Sequence, residues 1–231
     1  MRYQSTRDKA IGISSAEAIA QGLSRDGGLF VPEYFPALSP DALTKLVGMP
    51  YVERAAYIMK MYLDDYTVEE LRSFAQAAYG MPVYDDPAVA PMRKGDDDTY
   101  CLELWHGPTS AFKDMALQML PHLLTAALSK TGDEKDVCIL VATSGDTGKA
   151  ALEGFRDVNG TRVAVFYPLN GVSEMQKLQM TTQEGRNVFV AAVEGNFDDI
   201  QKEVKQVFTD REVLSVAARR RLALSSANSI N

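Results

Sequence analysis

The sequence of 231 residues holds two cysteines, two histidines and one tryptophan, and each scarcity closes off a class of function. Cys101 and Cys138 lie far apart, without CxxC spacing, each inside an apolar strand-like run. Neither a disulfide framework nor a zinc site is expected, and both thiols read as ordinary packing groups. His106 and His122 are too few for a metal site unless carboxylates complete the ligand set. No apolar run approaches the roughly 20 residues of a membrane span, and the longest, such as residues 137–142, are strand length. The opening MRYQSTRDKA lacks the basic region and apolar run of a secretory signal, so the cytoplasm is the expected compartment. An excess of basic charge is missing too: 24 Lys and Arg stand against 31 Asp and Glu, a net charge of −7. An acidic chain has no general attraction for nucleic acid or anionic lipid, so any anion it binds must be met locally.

What is present is a globular composition, 46% hydrophobic and 24% charged, enough for one large or two modest cores. Up to residue 92 the chain is helical in character. SSAEAIAQGL opens with capping serines, YVERAAYIMKMYL has apolar residues at helical spacing, and TVEELRSFAQAAYG carries a Thr cap, early acids and a closing glycine. Between the first two, SRDGGLFVPEYFP reads as a packed loop that Pro32 and Pro36 keep irregular. The acidic run in MRKGDDDTY marks the expected boundary between an N-terminal helical domain, residues 1–92, and an α/β domain, residues 93–231. From Tyr100 onward the reading is a strand at YCLELW, a helix over 110–129, and strands near 137–143, 162–167, 187–193 and 222–225. Helices over 147–156, 173–184 and 197–209 separate the last four strands. Strands of nearly continuous Val, Ile, Leu and Ala alternating with helices imply an open, doubly wound, mainly parallel sheet, in which ligands bind beyond the carboxyl ends of the strands. The sequence closes on RLALSSANSIN, a strand running into a polar loop without a closing helix, so the expectation is a truncated chain.

Beyond the strand at 137–143 lies the turn TSGDTG. A nucleotide P-loop fails here, because Thr143 stands where the first glycine belongs and Ala150 replaces the magnesium-binding hydroxyl. A nucleophile elbow centred on Ser144 fails as well, since Ala142 and Asp146 occupy both glycine positions. What survives is anion binding: Thr143, Ser144 and Thr147 bring hydroxyls, Gly145 and Gly148 allow close backbone approach, and a helix N-terminus follows. A plain strand-to-helix turn accounts for the same residues, and Lys149 reads as an exposed helix residue.

A second stretch, LELWHGPTSAFKDMALQML, sets Lys113 in the first turn of a helix whose Ala116, Leu117, Leu120 and Leu124 face a core, with Phe112 beside it. The positive end of a helix is a poor place for an ammonium group, and partial desolvation adds to the preference for the free amine. A lysine so placed suits Schiff-base chemistry. The competing reading is a lysine reaching to solvent and paired with Asp114 or Glu103.

Taken in order, HGPTSAFKD at 106–114, ATSGDTGKAA at 142–151 and SSANSIN at 225–231 resemble threonine synthases, pyridoxal-phosphate enzymes of the tryptophan-synthase-β fold type. DGGLFVP at 26–32 resembles the leading domain of that family. The resemblance implies that Lys113 bonds pyridoxal 5'-phosphate, with Phe112 and Asp146 at the cofactor. It also implies that Thr143, Ser144, Gly145 and Thr147 hold the carboxylate of a phospho-amino-acid substrate, and that Asn228 and Ser229 help hold its phosphate. Gly107, Pro108 and Thr109 would shape the approach to the lysine. Many relatives of the fold type carry Asn where Asp146 stands. The implied reaction converts O-phospho-L-homoserine and water to L-threonine and phosphate.

The family's GNFGD-type loop for the cofactor phosphate should follow NSIN and does not occur in this sequence. EGNFDD at 194–199 precedes NSIN, lacks the second glycine and reads as a helix-starting loop. Weak cofactor binding by this chain alone, or none, is therefore expected. The alternatives are a threonine-synthase-like phospholyase, a non-catalytic protein that keeps the fold, and a nucleotide-binding domain.

Overall fold

A computed structural model describes residues 1–208, 210–219 and 222–225. Packing divides the chain into two compact units, Met1–Met115 with His122–Thr131, and Ala116–Pro121 with Gly132–Asn231.

The first unit begins with β1 (Tyr3–Ser5), β2 (Gly12–Ile13), α1 (Ser15–Gln21), β3 (Phe30–Pro32), α2 (Pro40–Val47), α3 (Tyr51–Tyr62) and α4 (Val68–Tyr79). Both α1 and α4 open with capping boxes. Ser14 Oγ accepts from the Glu17 amide while the Glu17 carboxylate accepts from the Ser14 amide, and Thr67 and Glu70 repeat the exchange. Each box satisfies two amides that a helix start leaves without partners. Leu71 and Ala75 of α4 are fully buried, and Tyr66, 1% exposed, donates its hydroxyl to the Leu123 carbonyl at 3.0 Å. Burial of one such leucine stabilises the fold by about 1.5–3 kcal/mol.

The unit is less helical than its sequence suggests. Strands β1, β2 and β3 form an antiparallel sheet in the order β2-β1-β3, with Tyr3 opposite Pro32 and Ser5 opposite Phe30. Part of the stretch expected to be irregular is therefore a strand. Pro32 is tolerated because β3 is an edge strand and closes on the proline, where a missing N–H costs no ladder bond. The YCLELW segment is a correction of another kind. It contributes only β5 (Tyr100–Leu102), which pairs antiparallel with β4 (Met92–Lys94) in an exposed hairpin. The acidic run 96–98 forms the tip of this hairpin, where charges stay hydrated, and it lies inside the first unit.

The helix expected over 110–129 is two helices, α5 (Asp114–Leu117) and α6 (Leu120–Thr131). Leu117, Leu120 and Leu124 are buried, whereas Ala116 is exposed.

The second unit runs β6 (Asp136–Ala142), α7 (Asp146–Phe155), β7 (Thr161–Pro168), α8 (Glu174–Thr181), β8 (Val188–Val193), α9 (Phe197–Val207), α10 (Arg211–Arg219) and β9 (Leu222–Ser225). The four strands form one parallel sheet in the order β8-β7-β6-β9. The chain steps outward from β6 to β8 and then returns to the other side of β6, as a doubly wound sheet requires. That reversal makes the carboxyl end of β6 the switch point of the sheet, the place where such folds bind ligands. Val137, Ile139 and Val141 are fully buried, as are Val163 and Val165 within a percent, which explains their legible apolar runs. Asn196 caps α9 in a capping box with Asp199, so EGNFDD starts a helix. Helix α10 was not anticipated.

Of the two cysteines, Cys101 is exposed and Cys138 half-buried, so only the second packs as expected; burial pushes its thiol pKa up. No helix among the described residues is long and apolar enough to cross a membrane.

Gly154, in α7, is where the helix meets the segment that follows α5. A Cβ there would collide with the carbonyl oxygen of Leu117 and lie 3.0 Å from its carbon. Gly154→Ala is expected to destabilise the protein by about 1–3 kcal/mol through overpacking. Gly48→Ala, with nothing near its Cβ, is expected to be neutral; denaturant unfolding of both variants checks the contrast.

Candidate functional site

The HGPTSAFKD stretch is a turn folded around one carboxylate. Asp114, 1% exposed, accepts from the Thr109 amide at 2.8 Å and from the Thr109 hydroxyl at 2.7 Å. Ser110 takes the left-handed conformation at φ 56°, and its amide closes back on the Gly107 carbonyl at 3.1 Å. A Cβ on Gly107 would lie 2.6 Å from Asp114 Oδ2, so the turn needs glycine at that position. Lys113 therefore precedes α5 rather than standing in its first turn. Four helical residues supply little dipole, and the argument from helix position loses its weight. What the geometry offers is a half-buried lysine whose Nζ lies 4.2 Å from the ring centroid of Phe112. That ring is 57% exposed. Sequence reasoning offered Asp114 only as an ion-pair partner and missed its role as the anchor of the turn.

Upstream, His106 is clasped by two acids. Nδ1 lies 2.6 Å from Asp85 Oδ1 and Nε2 lies 2.9 Å from Glu103 Oε2, while the His106 carbonyl accepts from the Asp85 amide at 3.1 Å. Only the protonated ring donates to both carboxylates. Glu103 and then Asp85 accordingly hold its pKa above the usual histidine range, with Asp86 adding a smaller push. Arg93 faces the same acids, at 3.6 Å from Glu103 and 3.2 Å from Asp86, and the Trp105 ring stacks on the imidazole.

Because folding favours the protonated ring, its contribution to stability is complete below about pH 6.5 and is lost as pH rises through the folded value. The difference in urea midpoint between the unaltered protein and His106→Gln should shrink between pH 6 and pH 9. A constant difference would show that charge plays no part in the clasp.

In the second unit, β6 ends in the TSGDTG turn. Thr143 is buried, and its hydroxyl accepts from the amides of Gly145 and Gly148, both at 3.0 Å, and donates to the Gly145 carbonyl at 3.1 Å. A hydroxyl has one donor and two acceptor sites, so the turn itself uses all three and Thr143 offers no donor to a ligand. Ser144 is exposed, while Asp146 and Thr147 are half-buried at the start of α7. Among the described residues no hydrogen bond involves the Ser144 or Thr147 hydroxyl. Gly145 caps α7 without a side-chain bond, and within the first turn of the helix the Gly148 amide is taken by Thr143. Lys149 is half-buried rather than exposed, bonded to Glu153 at 3.4 Å and to Gln183. Gln176, from α8, lies against Gly145; its only mark in the sequence is the S-x-x-Q spacing with Ser173.

Lys113 and Phe112 belong to the first unit and residues 143–147 to the second. Asn228 and Ser229 lie outside the described residues. No group of three or more metal-ligating side chains occurs among the described residues.

These features define a class: a doubly wound parallel α/β sheet with a glycine-bearing turn at its switch point, preceded in the chain by a lysine on a fixed turn. Residues 2–79 match the family model described as the threonine synthase N terminus. The threonine synthase of Pseudomonas aeruginosa is 42% identical over 229 residues, 99% of this chain and 48% of that protein. Threonine synthase-like 1 of Homo sapiens is 40% identical over 225 residues, 94% of this chain and 30% of that one. The crystal structure of PLP-bound threonine synthase from Brucella melitensis shares the fold with a TM-score of 0.88 at 37% identity, over all of this chain and 48% of that chain. The chain is similar over nearly all of its length to threonine synthases, and it spans about half the length of the curated threonine synthases it matches.

Proposed function

We propose that the protein serves a pyridoxal-phosphate-dependent threonine synthase reaction, in which O-phospho-L-homoserine and water give L-threonine and phosphate. The observation that carries this reading is Lys113 on a turn pinned by buried Asp114, with its amine over the exposed Phe112 ring, in a chain similar over its length to threonine synthases. A primary amine is the side-chain group that condenses with an aldehyde, so this donor set fits pyridoxal phosphate. When bound, the cofactor supplies an electron sink for loss of protons from the substrate carbons.

Within the proposal Lys113 holds the cofactor and its Nζ carries protons to and from the substrate. Phe112 presents an apolar face to the cofactor ring, and Asp146 stands at the cofactor. Ser144 and Thr147 receive the substrate carboxylate, while Gly145 admits it to the backbone. Thr143 contributes by holding the turn. Asn228 and Ser229 remain the proposed ligands of the substrate phosphate, and residues 1–92 the proposed leading domain. The cytoplasm is the proposed compartment, and the net charge of −7 supports a small-molecule partner rather than nucleic acid. A second reading of the same residues is a phospholyase that releases phosphate without forming threonine; comparing the products from phosphohomoserine and phosphothreonine separates the two.

Incubation with pyridoxal phosphate followed by borohydride reduction and peptide mass mapping tests the assignment. The expected label concentrates on Lys113 and disappears in Lys113→Ala. Equal labelling of Lys113 and Lys149 would remove the basis of the proposal.

A further inference from the structure

Gln176 is an N3 residue of α8, and its side-chain oxygen is fully specified. Oε1 accepts from the Ser173 amide and from the Ser173 hydroxyl, both at 3.2 Å. An amide N–H can bond only to the oxygen end of a carboxamide, so these contacts fix which end of the side chain is which. The other end, Nε2, faces Gly145. A Cβ on Gly145 would collide with Nε2 and lie 2.8 Å from the carboxamide carbon, so glycine at 145 is what lets the carboxamide lie against the turn. Among the described residues no hydrogen bond uses the Nε2 donors. The carboxamide thus brings an oriented pair of donors to the same turn that presents the Ser144 and Thr147 hydroxyls and the start of α7.

We infer that Gln176 is a further binding residue for the α-carboxylate of the amino-acid substrate, donating from Nε2 beside Gly145. This rests on the reading of TSGDTG as the carboxylate turn. It also assigns α8 a part in the site that no sequence motif announces, since S-x-x-Q reads as a helix cap alone.

The test uses Gln176→Glu. The replacement keeps an oxygen for Ser173 and places an acid in the first turn of a helix, where the dipole favours it; it exchanges the two donors for a negative oxygen. Titration of the 231-residue protein with O-phospho-L-homoserine, followed by the amide resonances of Ser144 and Gly145, should show affinity reduced by about tenfold or more, the scale of one lost hydrogen bond to a charged group. Its thermal midpoint should be unchanged or higher. Met175→Glu adds the same charge at a neighbouring exposed position and should bind like the unaltered protein. Equal affinity in Gln176→Glu and the unaltered protein would overturn the inference while leaving the carboxylate turn standing. An equal loss in Met175→Glu would overturn it in favour of general repulsion. If the unaltered protein shows no shift at either resonance, the carboxylate turn falls and the role of Gln176 falls with it.

Discussion

The hydroxyl of Thr143 accepts two amides and donates to one carbonyl inside a turn of six residues, and the chemistry available at the switch point follows from that saturation. With Gly145 and Gly148 both tied to Thr143, the backbone cannot run straight from β6 into α7. It loops outward, and Ser144 becomes the exposed member of the turn. The amide of Gly145 is satisfied by a side chain two residues back rather than by water, so the buried part of the loop carries no polar debt. The hydroxyls of Ser144 and Thr147, by contrast, enter no hydrogen bond among the described residues, and Ser144 is exposed.

The first unit solves a similar problem with a charge in place of a hydroxyl. Asp114 is nearly inaccessible yet accepts from the amide and the hydroxyl of Thr109, an arrangement that makes a buried carboxylate tolerable. Gly107 and the left-handed Ser110 are the backbone conditions for it. The turn that carries Lys113 is therefore held by its immediate neighbour, Asp114. His106 adds a second, pH-sensitive fastening a few residues upstream, drawing on acids from two separate stretches of chain.

How much of this could be read from the sequence depended on whether one segment carried the whole signal. Strands β6 and β7 were legible because their burial leaves long apolar runs, β8 from its apolar composition although it is only partly buried, and α1, α3, α4 and α9 because spacing or caps are local. The edge strand β3 was hidden by Pro32, which is acceptable only given a partner on one side alone. YCLELW looked like a buried strand but is an exposed hairpin arm, since the feature that decides between them is its neighbour β4. Helix α10 buries Ala217 alone among its described residues and so leaves a weak apolar pattern. At the site, motif residues announced Lys113 and the turn. Asp114 and Gln176 escaped because their roles depend on atoms brought together by folding: a carboxylate turned inward on Thr109, and a carboxamide laid on Gly145.

The strand order also has a consequence in time. β6 finds β7 and then β8 through short crossovers, whereas its other edge waits for β9, with Asp136 opposite Leu222 and Ile139 opposite Ser225. Loop-closure entropy makes that last pairing the slow one. During synthesis the turn after β6 is made early, but the strand that pairs with the other edge of β6 leaves the ribosome only after two crossovers and α10. The turn at 143–148 is therefore among the earliest parts of this unit to be encoded, while the strand it ends is among the last to gain its second neighbour.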